Sequence, residues 1–251
     1  MQQKTPLSVV IIALNAASQI EACLKSAAFA DEVVVVDSGS RDGTREIALE
    51  YGARVIHQDW LGFGRQKQFA VGQASHDWVL CLDADERVGE TLRANIGKAL
   101  AAPQFHAYRM PRRNRFLGRW LRYGEGYPDW SLRLFDRQFA RWSEDEVHEK
   151  VVSDMPVGDL RGDLLHESQE TLATYLDKQN HYTSLQADAL FKRGKRATVM
   201  QLVGSPLLRF VKFYFFRLGF LDGVPGLVHI SIGCFNSFCK YAKLIALKQG
   251  K

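Results

Sequence analysis

The sequence is poor in the features that would place it in several common classes. Its 251 residues include only four cysteines, Cys23, Cys81, Cys234 and Cys239, and no two form a Cys-x-x-Cys pair. Cys81 lies inside an apolar run, where a small buried thiol is the ordinary reading, and a reducing compartment is inferred. The N-terminus passes from Met1-Gln2-Gln3-Lys4-Thr5-Pro6 straight into an apolar run. The cationic start, apolar core and cleavage site of a signal peptide are missing, so none is expected. No uncharged apolar stretch reaches the length of a transmembrane helix. There is no internal repeat and no low-complexity linker. No clustered base-stacking motif accompanies the positive charge, which leaves a nucleic-acid binder supported by net charge alone.

What is present is the balance of a folded globular protein, with 46% hydrophobic and 24% charged residues. The length suits one α/β domain with additions. The formal net charge is +5 and the pI near 9.0, with much of the excess in the C-terminal half. Nucleic acid, a membrane surface or phosphorylated substrates would each account for a basic balance, and charge alone selects none.

The first third alternates between strand and helix signals. Strands are expected over Leu7–Leu14, Glu32–Val36, Arg54–His57 and Trp78–Leu82. Helices are expected over Gln19–Phe29, Asp42–Tyr51 and Arg65–Ala74, with Gly52 stopping the second. This predicts a mainly parallel, doubly wound sheet. A helix is expected over Glu90–Leu100. Short strands are expected at Ala107–Pro111, Trp130–Phe135 and Val147–Val152, in a region rich in Arg and aromatics. Helices follow over Thr171–Arg193, Pro206–Leu221 and Leu227–Leu247.

Two of the strands end in acidic clusters of small residues. Val33-Val34-Val35-Val36 runs into Asp37-Ser38-Gly39-Ser40-Arg41-Asp42-Gly43-Thr44, and Trp78-Val79-Leu80-Cys81-Leu82 runs into Asp83-Ala84-Asp85-Glu86. Open α/β sheets bind ligands outside the carboxyl ends of their strands. The amides of Asp37–Thr44 and the following helix start suit a phosphate or nucleoside. A helix-capping turn accounts equally well for the same residues. Asp83 and Asp85 offer hard oxygens from alternate residues, which suits a divalent cation. Two close carboxylates repel unless a cation or donor neutralises them, so solvated turn carboxylates are the weaker reading.

The order Asn15, then Val-Val-Asp37-Ser-Gly-Ser-Arg-Asp-Gly-Thr44, then Leu-Asp83-Ala-Asp85-Glu resembles the family 2 glycosyltransferases of GT-A fold. Trp60-Leu-Gly-Phe-Gly-Arg-Gln-Lys67, Tyr127-Pro-Asp-Trp-Ser-Leu-Arg-Leu-Phe135 and Val147-His-Glu-Lys150 are similar to the subfamily that adds β-linked glucose to heptose in the lipopolysaccharide core. The likeness covers about residues 7–247. It implies a Rossmann-like, mainly parallel sheet flanked by helices, with residues 1–200 as catalytic domain. Residues 201–251 would form a basic, aromatic helical tail. It also implies inverting, metal-dependent transfer, with glucose moving from UDP-glucose to a lipid-linked glycan. Another donor sugar or acceptor, or a non-catalytic nucleotide-sugar-binding module, are the alternatives. On the resemblance Asp37 contacts the uridine, within a donor site of Asn15, Asp37, Ser38, Gly39, Arg65, Lys67 and Asp83. Asp83 contacts the ribose or the cation, and Asp85 holds Mg²⁺ or Mn²⁺ against the diphosphate.

Arg65 and Lys67 place cations suited to diphosphate, or else occupy a solvated helix face. An inverting transfer needs a carboxylate to take the acceptor hydroxyl proton. Glu149, from the His-Glu pair, is the first candidate and Asp145 the second, since a Glu144-Asp145 pair is the commoner family position. His166 is a further candidate metal ligand, with a structural histidine the ordinary reading. Asp129 and Arg133 either face the acceptor or pair with each other. Finally, Leu207–Leu221 mixes six aromatic rings with Arg209, Lys212 and Arg217, which suits the headgroup layer of an anionic membrane or a helix packed on the catalytic domain. His229 and Asn236 argue against a spanning helix. The chain is thus expected in the cytoplasm, in peripheral contact with the inner face of the membrane.

Overall fold

A computed structural model describes residues 5–143, 149–168 and 171–249. The chain divides into two compact units, Met1–Arg112 with Asp129–Glu167, and Arg113–Pro128 with Ser168–Lys251.

The first unit opens with the expected alternation: β1 (Leu7–Ala13), α1 (Ile20–Ala27), β2 (Glu32–Asp37), α2 (Thr44–Glu50), β3 (Arg54–His57), α3 (Phe63–Gly72) and β4 (Trp78–Asp83). β5 (Glu86–Val88) and α4 (Glu90–Ala101) follow, then β6 (Ala107–Phe116), which gives its first six residues to this unit. In the second unit β6 pairs with the short β7 (Arg119–Trp120). The first unit continues with β8 (Asp129–Asp136), β9 (Ala140–Trp142), β10 (Val151–Ser153), β11 (Val157–Asp159) and β12 (Leu164–His166). The large sheet runs β3-β2-β1-β4-β8-β6-β12-β5, parallel from β3 to β4 and antiparallel across β4-β8 and β8-β6.

Both faces of β1 are buried, as a near-continuous apolar run in a parallel sheet requires. Val9 and Ile11 pack on one side with Ile20, Leu24, Leu80, Leu82 and Ile96. Val10 packs on the other with Val34, Val36, Val71, Val79 and Phe135. Cys81 sits in that second layer and takes a hydrogen bond from Trp142 Nε1 at 3.3 Å. Burial pushes its thiol up to about 12, against the pull of that bond.

In the second unit α5 (Leu172–Lys192) and α7 (Gly223–Gln249) pack together, with α6 (Val199–Phe210) against α7. Lys243 on α7 reaches Asn180 O, Thr183 Oγ1 and Ser184 Oγ on α5, each at 2.8 Å. Asn236 donates to Gln179 at 2.8 Å. The expected helix from Pro206 to Leu221 is corrected. α6 starts earlier, at Val199, because Thr198 and Gln201 form a capping box, and Pro206 lies inside the helix. The helix then gives way to a π-helical turn at Val211–Phe216 and a 3₁₀ turn at Gly219–Asp222. Gly219 permits this bend, since a Cβ there would come within 2.3 Å of Ile230 Cδ1 and 2.7 Å of Phe213 O. Among the described residues no single helix is long and apolar enough to cross a membrane; the pair Val199–Phe216 and Gly219–Lys248 passes that test only together, bent by 73°.

Candidate active site

The register of the parallel strands brings the two acidic clusters to one edge. β1 lies between β2 and β4, with Ala13 opposite Asp37 and Ile12 opposite Asp83. The carboxyl ends of β2 and β4 therefore flank that of β1, where Asn15 begins the next turn.

The β2 cluster is a folded loop. Asp37 is fully buried, and its Oδ2 accepts from the backbone N–H of Gly39 and Ser40 at 3.0 Å each, while Oδ1 accepts from the Ser40 hydroxyl. Gly39 adopts φ +94°, which the tight turn requires and which favours glycine. Asn15 donates its N–H to Ser40 Oγ and accepts from Arg41 N–H, both at 2.9 Å. Ser38 Oγ accepts from Gln66 Nε2 at 3.0 Å. Asp42 accepts from Thr44 N–H at 3.1 Å just before α2, but the N-cap is Gly43 and no side chain caps the helix, so Asp42 is not its capping residue. The structure thus unites Asn15, Asp37, Ser38 and Gly39 in one turn whose shape the Asp37 carboxylate holds.

The β4 cluster joins a charge network. Asp83 Oδ2 takes Arg133 Nη2 at 2.9 Å, and Lys67 Nζ lies 3.1 Å from Asp83 Oδ1. Arg133 also reaches Glu86 Oε1 at 2.9 Å, and Arg112 approaches the same oxygen at 3.3 Å. Glu86 is 0% exposed and Arg133 5%, so the pairs lie in a medium where charge attraction is strong. Burial alone would raise the Asp83 pKa, but Arg133 and then Lys67 hold it well below the usual carboxylate range. Burial likewise penalises the Arg133 charge, and Glu86 and Asp83 outweigh that penalty.

Two alternatives left open by the sequence are decided here. Lys67 is not on a solvated face: it is 5% exposed, stacked 4.8 Å over the Trp142 ring and paired with Glu149 Oε1 at 3.3 Å. Arg65 is the exposed cation of α3. Arg133 is not the pair of Asp129; that carboxylate takes Arg112 Nε at 3.0 Å. Register explains the exchange, since Arg112 stands opposite Asp129 across β6-β8, whereas the Arg133 side chain points to β4 and Glu86. Glu86 itself was missed as a separate element of the site, although it closes the Asp83-Ala84-Asp85-Glu86 run.

Glu149, Lys67, Asp129 and Arg133 line one open cavity of about 490 Å³, with Arg112 and Trp142. The candidate base and both candidate acceptor residues therefore share a pocket. Glu149 belongs to no strand; β10 begins at Val151, so the strand expected from Val147 does not include Glu149. Asp145 and its neighbours Glu144 to His148 lie outside the described residues.

β12 runs antiparallel to β5, with His166 opposite Glu86. This sets His166 Nε2 3.1 Å from Asp85 Oδ2. An imidazole and a carboxylate so placed offer two donors that suit a small divalent cation whose other positions go to water and phosphate. Among the described residues no group of three or more such donors forms a closed metal cage.

Comparison with known proteins identifies the family. The model of the family described as glycosyl transferase family 2 matches residues 8–147. The chain is a family 2 glycosyltransferase. It is 33% identical, over 97% of its length and 93% of the relative's, to the lipopolysaccharide core biosynthesis glycosyltransferase LpsC of Rhizobium meliloti. An uncharacterized glycosyltransferase of Rickettsia typhi is 32% identical over 95% of this chain and 86% of its own. Among solved structures, S. aureus TarS in complex with UDP-GlcNAc aligns with TM-score 0.51 at 15% identity, over 98% of this glycosyltransferase and 93% of that chain. Glucosyl-3-phosphoglycerate synthase of Mycobacterium tuberculosis, in complex with Mn²⁺, UDP and glucosyl-3-phosphoglycerate, aligns with TM-score 0.50 at 18% identity, over 77% and 82%. At such identities these two speak for the fold alone, and that fold is GT-A, as expected.

Proposed function

We propose that this glycosyltransferase moves glucose from UDP-glucose onto the inner core of lipopolysaccharide, by a metal-dependent inverting transfer at the inner face of the cytoplasmic membrane. Residues 1–200 would carry the chemistry and 201–251 the membrane contact. The observation that carries the reading is the pocket shared by Glu149, Lys67, Asp129 and Arg133, next to Asp83 at the end of β4. The relation to LpsC directs it to the lipopolysaccharide core.

In this reading Asn15, Ser38 and Gly39 present the turn that receives the nucleoside, with Asp37 fixing its shape and reaching the uridine. Asp83 meets the ribose while Arg133 and Lys67 hold it ionised. Asp85 and His166 would hold Mg²⁺ or Mn²⁺, which when bound would supply positive charge against the diphosphate. Arg65 adds a cation on the exposed face of α3. Glu149 accepts the proton of the acceptor hydroxyl, and Lys67 orients that carboxylate from beneath. Asp129, paired with Arg112, and Arg133 shape the acceptor side. A carboxylate on the face opposite the leaving group is what inversion requires, and a nucleophile that forms a glycosyl-enzyme is not needed.

The experiment is UDP release from a panel of UDP-sugars by the purified protein, with core lipopolysaccharide as acceptor and either Mg²⁺, Mn²⁺ or EDTA. Release from UDP-glucose that needs both acceptor and cation supports the reading. Release from another donor only would reassign the sugar. UDP binding without release from any donor would favour a nucleotide-sugar-binding module.

A further inference from the structure

From Ala189 to Lys251 the sequence has eleven Lys and Arg residues and one acid, Asp222. The formal net charge of the whole chain is +5, of which this stretch supplies +10, leaving −5 for residues 1–188. Asp222 does nothing for most of these cations. It is buried and takes the backbone N–H groups of Arg122 and Tyr123 at 2.9 and 2.8 Å. Arg209 is held by Glu125, and Lys243 is sunk among α5 acceptors.

Five of the other nine lie together in the second unit: Lys192 at the end of α5, Arg193, Lys195 and Arg196 in the turn after it, and Lys248 near the end of α7. All are exposed, and among the described residues none has an ion pair or a side-chain hydrogen bond. Lys192, Lys195, Arg196 and Lys248 rim an open cavity of about 740 Å³ whose apolar walls include Phe191 and Leu244. Two residues further on, α6 begins with Val199 and Met200 exposed at 73% and 84%. Val203 and Leu207 continue that exposed stripe at helical spacing.

Like charges this close repel one another, so an unneutralised ring of them is stable only where water or an anion screens it. The apolar stripe beside it has the opposite need, to leave water. One partner satisfies both, a bilayer with phosphate headgroups above hydrocarbon. RNA would meet the charge but not the aliphatic stripe, which offers no stacking rings. We propose that the basic cavity is a headgroup site for an anionic phospholipid, its phosphate among Lys192, Lys195, Arg196 and Lys248 and its chains beside the exposed face of α6. This rests on the membrane-facing reading of residues 201–251 and adds to it a site outside that segment's aromatic part. Charge and apolar face then act as two signals, which is what durable peripheral attachment takes.

The test is co-sedimentation of the full chain with vesicles of phosphatidylcholine alone or with about a third phosphatidylglycerol. The wild type should bind the anionic vesicles far more tightly and lose that preference in high salt. The variant Lys192→Glu/Lys195→Glu/Arg196→Glu should lose about 100-fold or more of its partition onto anionic vesicles, with weak binding to neutral ones unchanged. Thermal unfolding should match the wild type, because these side chains touch no partner. Wild-type partition by the triple variant would overturn the headgroup site while leaving the membrane reading in place. No binding of the wild type to either vesicle would overturn both. Tighter binding to a single-stranded RNA than to anionic vesicles, lost in the triple variant, would assign the cations to nucleic acid instead. UDP release on a detergent-solubilised acceptor, measured in parallel, should be equal in wild type and variant; its absence from both would count against the transfer reaction and not against the lipid site.

Discussion

The two units of this glycosyltransferase use charge in opposite ways. In the first, Asp83, Glu86, Arg133, Arg112, Asp129, Lys67 and Glu149 each face a partner of opposite sign within 3.5 Å. In the second, Lys192, Lys195, Arg196 and Lys248 around one cavity, with Arg193 beside them in the chain, face none among the described residues. The contrast separates two tasks. Paired, buried charges cannot attract anything at a distance, but they hold side chains in place and fix which of them is ionised. Unpaired, exposed charges fix nothing, yet they project a field over about a Debye length and so suit a surface whose details vary.

The sharpest way to test the paired side is to remove one member at the reacting centre. Glu149→Gln should lower kcat about 10³-fold while UDP affinity changes little, because a general base acts in the transition state and not in donor binding. Steady-state rates with UDP titrations on the same preparation would show it. Equal loss of UDP affinity would mean that Glu149 acts chiefly through Lys67. Next in size is Arg133→Met, which leaves Glu86 and Asp83 short of their main counter-charge. Urea unfolding should show a loss of about 3–5 kcal/mol, the range for stripping one partner from a buried pair. A loss below about 1 kcal/mol would mean that Arg112 and Lys67 suffice.

A smaller effect comes from the far end of the sheet. Glu32 accepts from Ser8 Oγ at 2.6 Å, Ser75 N–H at 2.7 Å and Arg54 Nη2 at 3.0 Å. Burial works against its ionised form, but these donors lower its pKa from an ordinary 4.5 to about 2. A depressed carboxylate stabilises the fold fully above its unfolded pKa and loses that contribution as the pH falls through its folded one. Glu32→Gln should therefore cost about 2 kcal/mol at pH 7, with the gap to wild type closing between about pH 4.5 and pH 2. A gap independent of pH would assign the effect to packing.

Much of the first unit is legible in its sequence because the signals are local. β1, β2 and β4 are apolar runs that end at turns, and α1 carries an apolar stripe of Ile20, Cys23, Leu24 and Ala27. The acidic clusters could be placed at a ligand-binding edge for the same reason. The rest depends on distant partners. β5 is three residues long and begins with a glutamate that reads as solvated, until Arg133, 47 positions away, supplies its charge. For Lys67 the sequence leaves a diphosphate cation and a solvated face both open, because Glu149 and Trp142 are far off in the chain. Pairing of Arg133 with Asp129, one of two readings their nearness in sequence allows, is excluded only by strand register, which gives that carboxylate to Arg112. The start of α6 was local and still overlooked: Thr198-Val199-Met200-Gln201 is a capping box, and Pro206 drew the boundary away from it.

The central claim is that Asp85, beside His166, holds a divalent cation for the nucleotide diphosphate. Calorimetric titration of UDP into wild type and Asp85→Ala, each with Mg²⁺ or with EDTA, tests it most directly. The account predicts that EDTA weakens UDP binding at least about tenfold in the wild type and leaves the variant unchanged, with both proteins equally folded. The same cation dependence in Asp85→Ala as in the wild type would contradict it.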